Sequence, residues 1–166
     1  MSYVRRFFLL FLTIGFLVSG CDRTSNDWSS REDIIATDSD DAQINIAIKK
    51  ARETLPQFWA ALSEENESDH SFNIKVGLQA DNGGFEHIWV NNVAKNGSEI
   101  TGVLINIPMK LSEYELGDSV SFHTSQVTDW QFIRNGKSEG NHVTKVLLRH
   151  MSPEKSDEIK KILGWN

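Results

Sequence analysis

The feature that most constrains this chain is an apolar run close to its start. Arg5 and Arg6 precede the uncharged segment Phe7 to Val18, which consists mostly of Phe, Leu, Ile and Val. A basic start, a short apolar stretch and small residues at its exit are typical of a secretory signal peptide. The twelve residues would cover about 18 Å as a helix, well short of the roughly 30 Å hydrocarbon core of a bilayer. We therefore predict that residues 1–20 are a signal peptide outside the folded domain.

The only cysteine of the chain, Cys21, follows this run directly. The segment Val18-Ser19-Gly20-Cys21 resembles the lipobox of bacterial lipoproteins, which implies a diacylglycerol on the sulfur, cleavage before the cysteine and acylation of the new amino group. A disulfide would need a second cysteine, and a catalytic thiol would need a basic environment and a positioned base. We predict that Cys21 carries lipid. Asp22 resembles the signal for retention in the inner membrane, so we expect a membrane-anchored protein that faces outside the cytoplasm.

The residues after Cys21 divide into a tether and one domain. Residues 21–40 are polar and acidic without sustained periodicity, which is typical of a flexible tether. Removal of residues 1–20 leaves 15 basic against 23 acidic side chains, a net charge near −8. This charge disfavours nucleic acid as a partner and suits a basic protein partner or solubility alone. Residues 41–166 are enough for one domain.

The patterning of residues 41–166 predicts an α+β domain. Apolar residues from Ile44 to Leu62 recur at helical spacing, and Pro56 is expected to divide this segment into two helices, with Thr54 as the cap of the second. Strands are expected at 72–78, at 85–90, from 100, at 119–123 and before the Asn135-Gly136 turn. Helices should follow from 143, with a restart at Ser152. We expect a meandering antiparallel sheet, open or curled towards a small barrel, between N-terminal and C-terminal helices.

The usual sequence signatures of catalysis are missing from the chain. It has no phosphate-cradling glycine loop, no Gly-x-Ser-x-Gly elbow and no histidine pair at the spacing of metal ligands. The five histidines are scattered along the sequence. We therefore predict no metal and no cofactor.

The segment FEHIWV, residues 85–90, is the first unusual site. Strand alternation places His87 and Trp89 on one face and Glu86 on the other, so each apolar row contains a polar group. His87 is then either a histidine whose ring nitrogens are satisfied, with Glu86 near the sheet edge, or an imidazole beside an indole platform in a ligand groove.

The second unusual site is Asp129 with Trp130, at the start of a strand. An aspartate at such a position commonly accepts backbone N–H groups as a cap. The functional alternative pairs Asp129 with His87 across the sheet, as the group that orients a general base. We expect both tryptophans to serve mainly in packing, on neighbouring parts of one sheet.

Several motifs together resemble the YegJ-like family of uncharacterised bacterial proteins. They are LPQFWAAL, FEHIWV, ITGVLINIP, LGDSVSF and DWQFIRNGK, and the similarity covers about residues 45–165. Val143 and Lys145 depart from the family pattern. The resemblance implies the fold and its boundaries but no mechanism, and it favours a common site for Glu86, His87, Asp129 and Trp130. The residues that carry it are Phe58, Trp59, Glu86, His87, Trp89, Gly102, Asn106, Pro108, Leu116, Gly117, Asp129, Trp130, Gly136 and Gly140.

These observations favour a lipid-anchored binding module outside the cytoplasm, of inhibitor or immunity type, with a protein partner. Its candidate binding residues are Glu86, His87, Trp89, Asp129 and Trp130. The alternatives are a small hydrolase that uses His87 and Asp129, and a structural component of the cell envelope.

Overall fold

The computed structural model of the protein describes residues 42–165. It contains helix α1 (Ala42–Ser63), strands β1 (Asp69–Gln79), β2 (Phe85–Asn96), β3 (Glu99–Leu104), β4 (Ser119–His123), β5 (Val127–Arg134) and β6 (Lys137–Gly140), and helices α2 (His142–Leu147) and α3 (Pro153–Ile162). Short 3-10 turns, Thr124–Gln126 and Leu148–His150, lie between β4 and β5 and after α2. The predicted α+β class, with terminal helices around an antiparallel sheet, is confirmed.

The six strands form one antiparallel sheet in the order β4-β3-β2-β1-β5-β6. Only residues 124–126 connect β4 to β5, although three strands lie between them in the sheet. Four strand spacings in a flat sheet would measure about 19 Å, whereas a link from 123 to 127 reaches at most about 14 Å. The sheet must therefore be strongly curved. It is not closed, because β4 and β6 remain its edges within the described residues.

Helix α1 runs through Pro56 without dividing, so the prediction of two helices was wrong. Thr54 is not a cap either, because its hydroxyl donates back to the carbonyl of Lys50 at 2.8 Å. A proline inside a helix costs about 3 kcal/mol, but burial of side chains such as Leu55 and Phe58 contributes about 1.5–3 kcal/mol each. Pro56 itself lies on the exposed side of the helix, where water can reach the carbonyl that lacks its partner.

The core lies between α1 and the concave side of the sheet. Its aromatic centre is Phe58, whose ring centroid lies 5.5 Å from that of Phe72 and 6.0 Å from that of Trp130. Phe132 stacks on Trp130 at 5.9 Å. Ile74, Val76, Ile88 and Val90 add the apolar floor, in the alternation that the sequence predicts for β1 and β2.

Helices follow the sheet at the C-terminal side, as predicted. Ser152 caps α3 by accepting the N–H of Lys155, and Pro153 occupies the first turn. Gly140 ends β6 with φ of +79°, and a Cβ at this position would collide with the carbonyl of Trp130. This glycine therefore allows the chain to turn closely from β6 into α2.

Candidate functional site

The two candidate segments meet on either side of strand β1. Lys75 of β1 pairs with Trp89 of β2 on one side and with Asp129 of β5 on the other. Side chains at paired positions share a face of the sheet, so these three residues form a row. The Lys75 ammonium lies 5.2 Å from the centre of the Trp89 ring. The prediction that the two segments occupy neighbouring parts of one sheet is confirmed.

Asp129 is completely buried and acts as a cap. One carboxylate oxygen accepts the N–H groups of Trp130 and His142, and the other accepts the N–H of Val143, each at 2.9 Å. The last two belong to the first turn of α2, so Asp129 holds the start of that helix against β5. Burial raises the pKa of Asp129 to about 6, against the opposing effects of these three N–H groups and of the Lys75 charge.

Trp130 belongs to the core rather than to a ligand surface. Only 2% of it is exposed, and its indole N–H donates to the carbonyl of Ala51 on α1 at 2.9 Å. Trp89, on β2, is 8% exposed. Both tryptophans are buried, as the sequence predicts, but they lie on opposite faces because Trp130 pairs with Ile74 and Trp89 pairs with Lys75.

His87 lies two residues before Trp89 on β2, opposite Gly77 of β1. Its Nδ1 is 3.2 Å from the hydroxyl oxygen of Thr128, and its side chain is exposed. The partners of Asp129 are the three backbone N–H groups described above, and His87 is not among them. The structure therefore places the two residues on the two strands that flank β1, without forming the pair of a base and its orienting carboxylate.

Glu86 binds a long loop that follows β3. Its two carboxylate oxygens accept the N–H of Met109 at 2.9 Å and the N–H of Lys110 at 2.7 Å. A carboxylate that accepts two neighbouring backbone N–H groups makes strong, charge-assisted hydrogen bonds. Glu86 thus fixes a segment more than twenty residues away in sequence, a role that the local strand pattern does not indicate.

The loop of residues 105–112, here called the β2 strap, lies along the outer edge of β2. Ile105 donates its N–H to the carbonyl of Trp89 at 3.0 Å, and the side-chain oxygen of Asn106 accepts the N–H of Trp89 at 3.2 Å. At the other end, Asp81 accepts the N–H of Ser112 at 2.7 Å. Where the backbone ladder between β2 and β3 ends, side-chain oxygens therefore accept the backbone N–H groups.

The β2 strap exposes apolar side chains although its backbone is held. Ile107 is 65% exposed and Met109 is 71% exposed. With Phe85 and Leu116, they are four of the six large apolar side chains that are exposed among the described residues. The sequence pattern does not indicate this surface, because the segment Ile107-Pro108-Met109 follows a strand and is typical of the end of one.

Other functional predictions concern metal binding, membrane crossing and lipid attachment. Within residues 42–165, no group of three or more potential ligands could hold a metal ion. No helix in that range has the length and apolar character needed to cross a bilayer. Cys21, Asp22 and the tether 21–40 lie outside the described residues, so their roles remain predictions.

A family model described as "Uncharacterized protein conserved in bacteria (DUF2314)" matches residues 41–166. The chain belongs to this family. It is 26% identical over 138 residues to the uncharacterised protein YegJ of Escherichia coli K12, which covers 82% of this chain and 88% of that protein. The YegJ-like resemblance read from the motifs is thus confirmed. No solved structure matches the chain.

A second relative is a Neisseria meningitidis serogroup B protein that is named as an ankyrin repeat protein. It is 30% identical over 125 residues, which cover 71% of this chain. The chain spans about half of that protein, 49% of its length.

Proposed function

We propose that the protein is a lipid-anchored binding module outside the cytoplasm, and that the β2 strap is its contact surface for a protein partner. The observation that carries this proposal is the attachment of the strap by Glu86. Two charge-assisted bonds hold the backbone at Met109 and Lys110, while the side chains of Ile107 and Met109 point to solvent.

A surface of this kind suits binding because its conformation is set in advance. A mobile loop loses side-chain and backbone freedom when it docks, and that loss subtracts from affinity. The β2 strap has already lost much of its backbone freedom through Glu86, Asn106 and Asp81. Clustered exposed apolar side chains with polar neighbours are also typical of interaction sites.

Charge near the strap favours a basic partner. The chain that continues from the strap to β4 carries Glu113, Glu115 and Asp118, and Asp118 is fixed by accepting the N–H of Glu115 at 2.8 Å. Acidic groups around an apolar contact accelerate encounter with a positively charged partner and select against acidic ones. The net charge near −8 of residues 21–166 acts in the same direction.

In this proposal, the lipid anchor determines that the domain binds its partner at a membrane. Lipid on Cys21 with more than one acyl chain would hold the protein firmly at a bilayer. The tether would then keep the domain within a few nanometres of the membrane, since residues 22–40 would extend about 25 Å if they form a coil. The partner would meet the domain at the membrane surface.

The contacts of His87 and Asp129 favour binding over the hydrolase alternative. A general base needs an orienting group within hydrogen-bond reach. Both carboxylate oxygens of Asp129 already accept backbone N–H groups, and they are buried.

A quantitative pull-down from native membranes tests the proposal. The bait is the tethered protein, as wild type and as the double variant Ile107→Ser with Met109→Ser. The matched control is Ile46→Ser on α1, because Ile46 is 68% exposed and lies outside the strap. We expect the double variant to lose a partner that the wild type and the control both retain. Equal recovery with all three baits would refute the strap as the contact surface.

A further inference from the structure

Strands β1 and β2 separate beyond their last pair and leave an opening between them. The ladder ends at Ile74 opposite Val90, although both strands continue past this point. Each strand then contains an irregularity, between 70 and 73 in β1 and between 91 and 94 in β2. The opening, here called the bulge groove, has a volume of about 320 Å³ and is lined by Leu62, Phe72, Val93, Ser71, Asn73, Asn91 and Asn92.

The polar side chains of the bulge groove have unused hydrogen-bonding capacity. The side-chain oxygen of Asn91 is buried and has no hydrogen-bond partner among the described residues. A buried amide oxygen without a donor is uncommon in a native fold and calls for a partner. Ser71, Asn73 and Asn92 line the same groove, and the exposed side chains of Ser71 and Asn92 are accessible to a ligand.

The backbone around the groove turns through the left-handed region on both strands. Ser71 has φ of +58° and Asn92 has φ of +48°. Asparagine tolerates this conformation, whereas serine adopts it rarely, so the surrounding fold must offset its cost at Ser71. Such bulges commonly lie beside binding sites, where they aim side chains that a regular strand would place elsewhere.

We propose that the bulge groove binds an extended peptide segment that carries one apolar residue with basic neighbours. Asparagine amides both donate and accept, so they can pair with the peptide unit of a ligand, and the Asn91 oxygen would accept a ligand N–H once rotation of its side chain brings that buried oxygen into the groove. Leu62, Phe72 and Val93 provide an apolar surface for one side chain. The separated edges of β1 and β2 suit a chain that runs as an added strand.

The acidic loop beside the groove gives the preference for basic residues. Glu64, Glu65 and Glu67 lie two to five residues after Leu62, in the connection between α1 and β1. They are exposed and lie just before Ser71 in the chain. Lysine or arginine on either side of the apolar residue of the ligand would be attracted to them.

This site is distinct from the apolar part of the β2 strap at Ile107 and Met109, which Glu86 holds. Glu86 and Asn91 are five residues apart on β2, which corresponds to about 17 Å along a strand. The proposal therefore does not depend on the proposed function, and the two can fail separately.

The test measures binding of fluorescein-labelled, end-capped pentapeptides to the purified full chain by fluorescence anisotropy. The probes have the form Lys-Thr-X-Thr-Lys with X as Leu, Val, Phe or Met. Companion peptides replace both lysines by glutamate or carry an N-methyl group on the amide of X. We expect saturable binding of at least one lysine probe, and at least tenfold weaker binding of its glutamate and N-methyl companions.

Protein variants locate the site. Asn91→Leu removes the buried oxygen and fills its space with an apolar side chain, so we expect tenfold or greater loss of peptide affinity without a lower urea midpoint. Asn73→Ala provides a second variant if Asn91→Leu does not fold. The matched control is Asn82→Leu, an exposed asparagine in the turn between β1 and β2. Both this control and Ile107→Ser should leave peptide binding unchanged.

Three outcomes would overturn the inference. They are the absence of saturable binding by every lysine probe, equal affinity in Asn91→Leu and wild type, and equal affinity of the N-methylated and unmodified peptides. In any of these cases the groove would hold water only. Loss of membrane-partner recovery in the Ile107→Ser and Met109→Ser double variant would still support the strap as a separate surface.

Discussion

Asp129 allows the sharpest test of how this fold is held together. Its carboxylate is completely buried and accepts three backbone N–H groups, two of them from the first turn of α2. Burial raises its pKa to about 6, compared with about 3.9 for an aspartate in an unfolded chain. Ionisation of Asp129 therefore opposes folding even though the ionised group is a good cap.

The sign of the pH dependence follows from this shift. Below about pH 4, Asp129 is protonated in both states, and above about pH 6 it is ionised in both. Between these values the folded state binds the proton more tightly, so the contribution of Asp129 to stability falls as the pH rises. A pKa difference of about two corresponds to about 3 kcal/mol, which should be lost between pH 4 and pH 7.

Asp129→Asn isolates this effect, because the asparagine does not titrate. It keeps one acceptor oxygen, but its NH₂ group would face the N–H of Val143, and an unsatisfied buried N–H costs about 1–3 kcal/mol. We expect Asn to be clearly less stable than wild type at pH 4 and close to it at pH 7. Asp129→Ala leaves all three N–H groups without this acceptor and should be the least stable variant at both values.

Urea unfolding followed by tryptophan fluorescence measures these differences. The free energy of unfolding of wild type minus that of Asp129→Asn should decrease from pH 4 to pH 7 by up to about 3 kcal/mol. A difference that stays constant, or that increases over this range, would refute the reasoning. A constant difference would mean that the three N–H groups balance the burial of the charge, and an increasing one that they outweigh it.

Three further changes test the packing, the candidate histidine and the anchor. Trp130→Ala removes a buried ring that stacks on Phe132, and should cost about 3–5 kcal/mol in urea unfolding, whereas Trp130→Phe should cost clearly less. His87→Gln should change the free energy of unfolding by less than about 1 kcal/mol, because the ring is exposed and glutamine keeps a group that can bond to Thr128; a loss of about 10²-fold or more in a hydrolytic activity would instead support the hydrolase alternative. Cys21→Ser should abolish incorporation of labelled palmitate and leave an unprocessed precursor; normal mature-size protein in the detergent extract would contradict lipid attachment.

Local patterns in the sequence predict the parts of the fold that local physics determines. The alternation in 85–90 places Ile88 and Val90 in the core, and the turn chemistry at Asn135-Gly136 joins β5 to β6 as expected. Asp129 could also be read as a capping residue, since an aspartate at the start of a strand commonly accepts nearby N–H groups. The raised pKa of Asp129 could not be predicted, because it depends on burial in the folded chain, where the start of α2 lies against the carboxylate.

The remaining errors and omissions come from contacts between distant residues. Pro56 has a strong local tendency to end a helix, which the burial of Leu55 and Phe58 overrides. The role of Glu86 depends on a loop more than twenty residues away. The bulge groove depends on a left-handed conformation at Ser71, and serine shows no sequence preference that would reveal it.

Site-specific photo-crosslinking in bacterial cells tests the central claim of a binding surface on the β2 strap most directly. A photoreactive amino acid is placed at Met109 in the wild type and in Glu86→Ala, and at Ile46 as the matched exposed control. Our account predicts one discrete adduct from position 109 in the membrane fraction, none at that size from position 46, and strong reduction in Glu86→Ala, where Met109 and Lys110 lose their acceptor. No adduct from position 109, or the same adducts from positions 109 and 46, would contradict it.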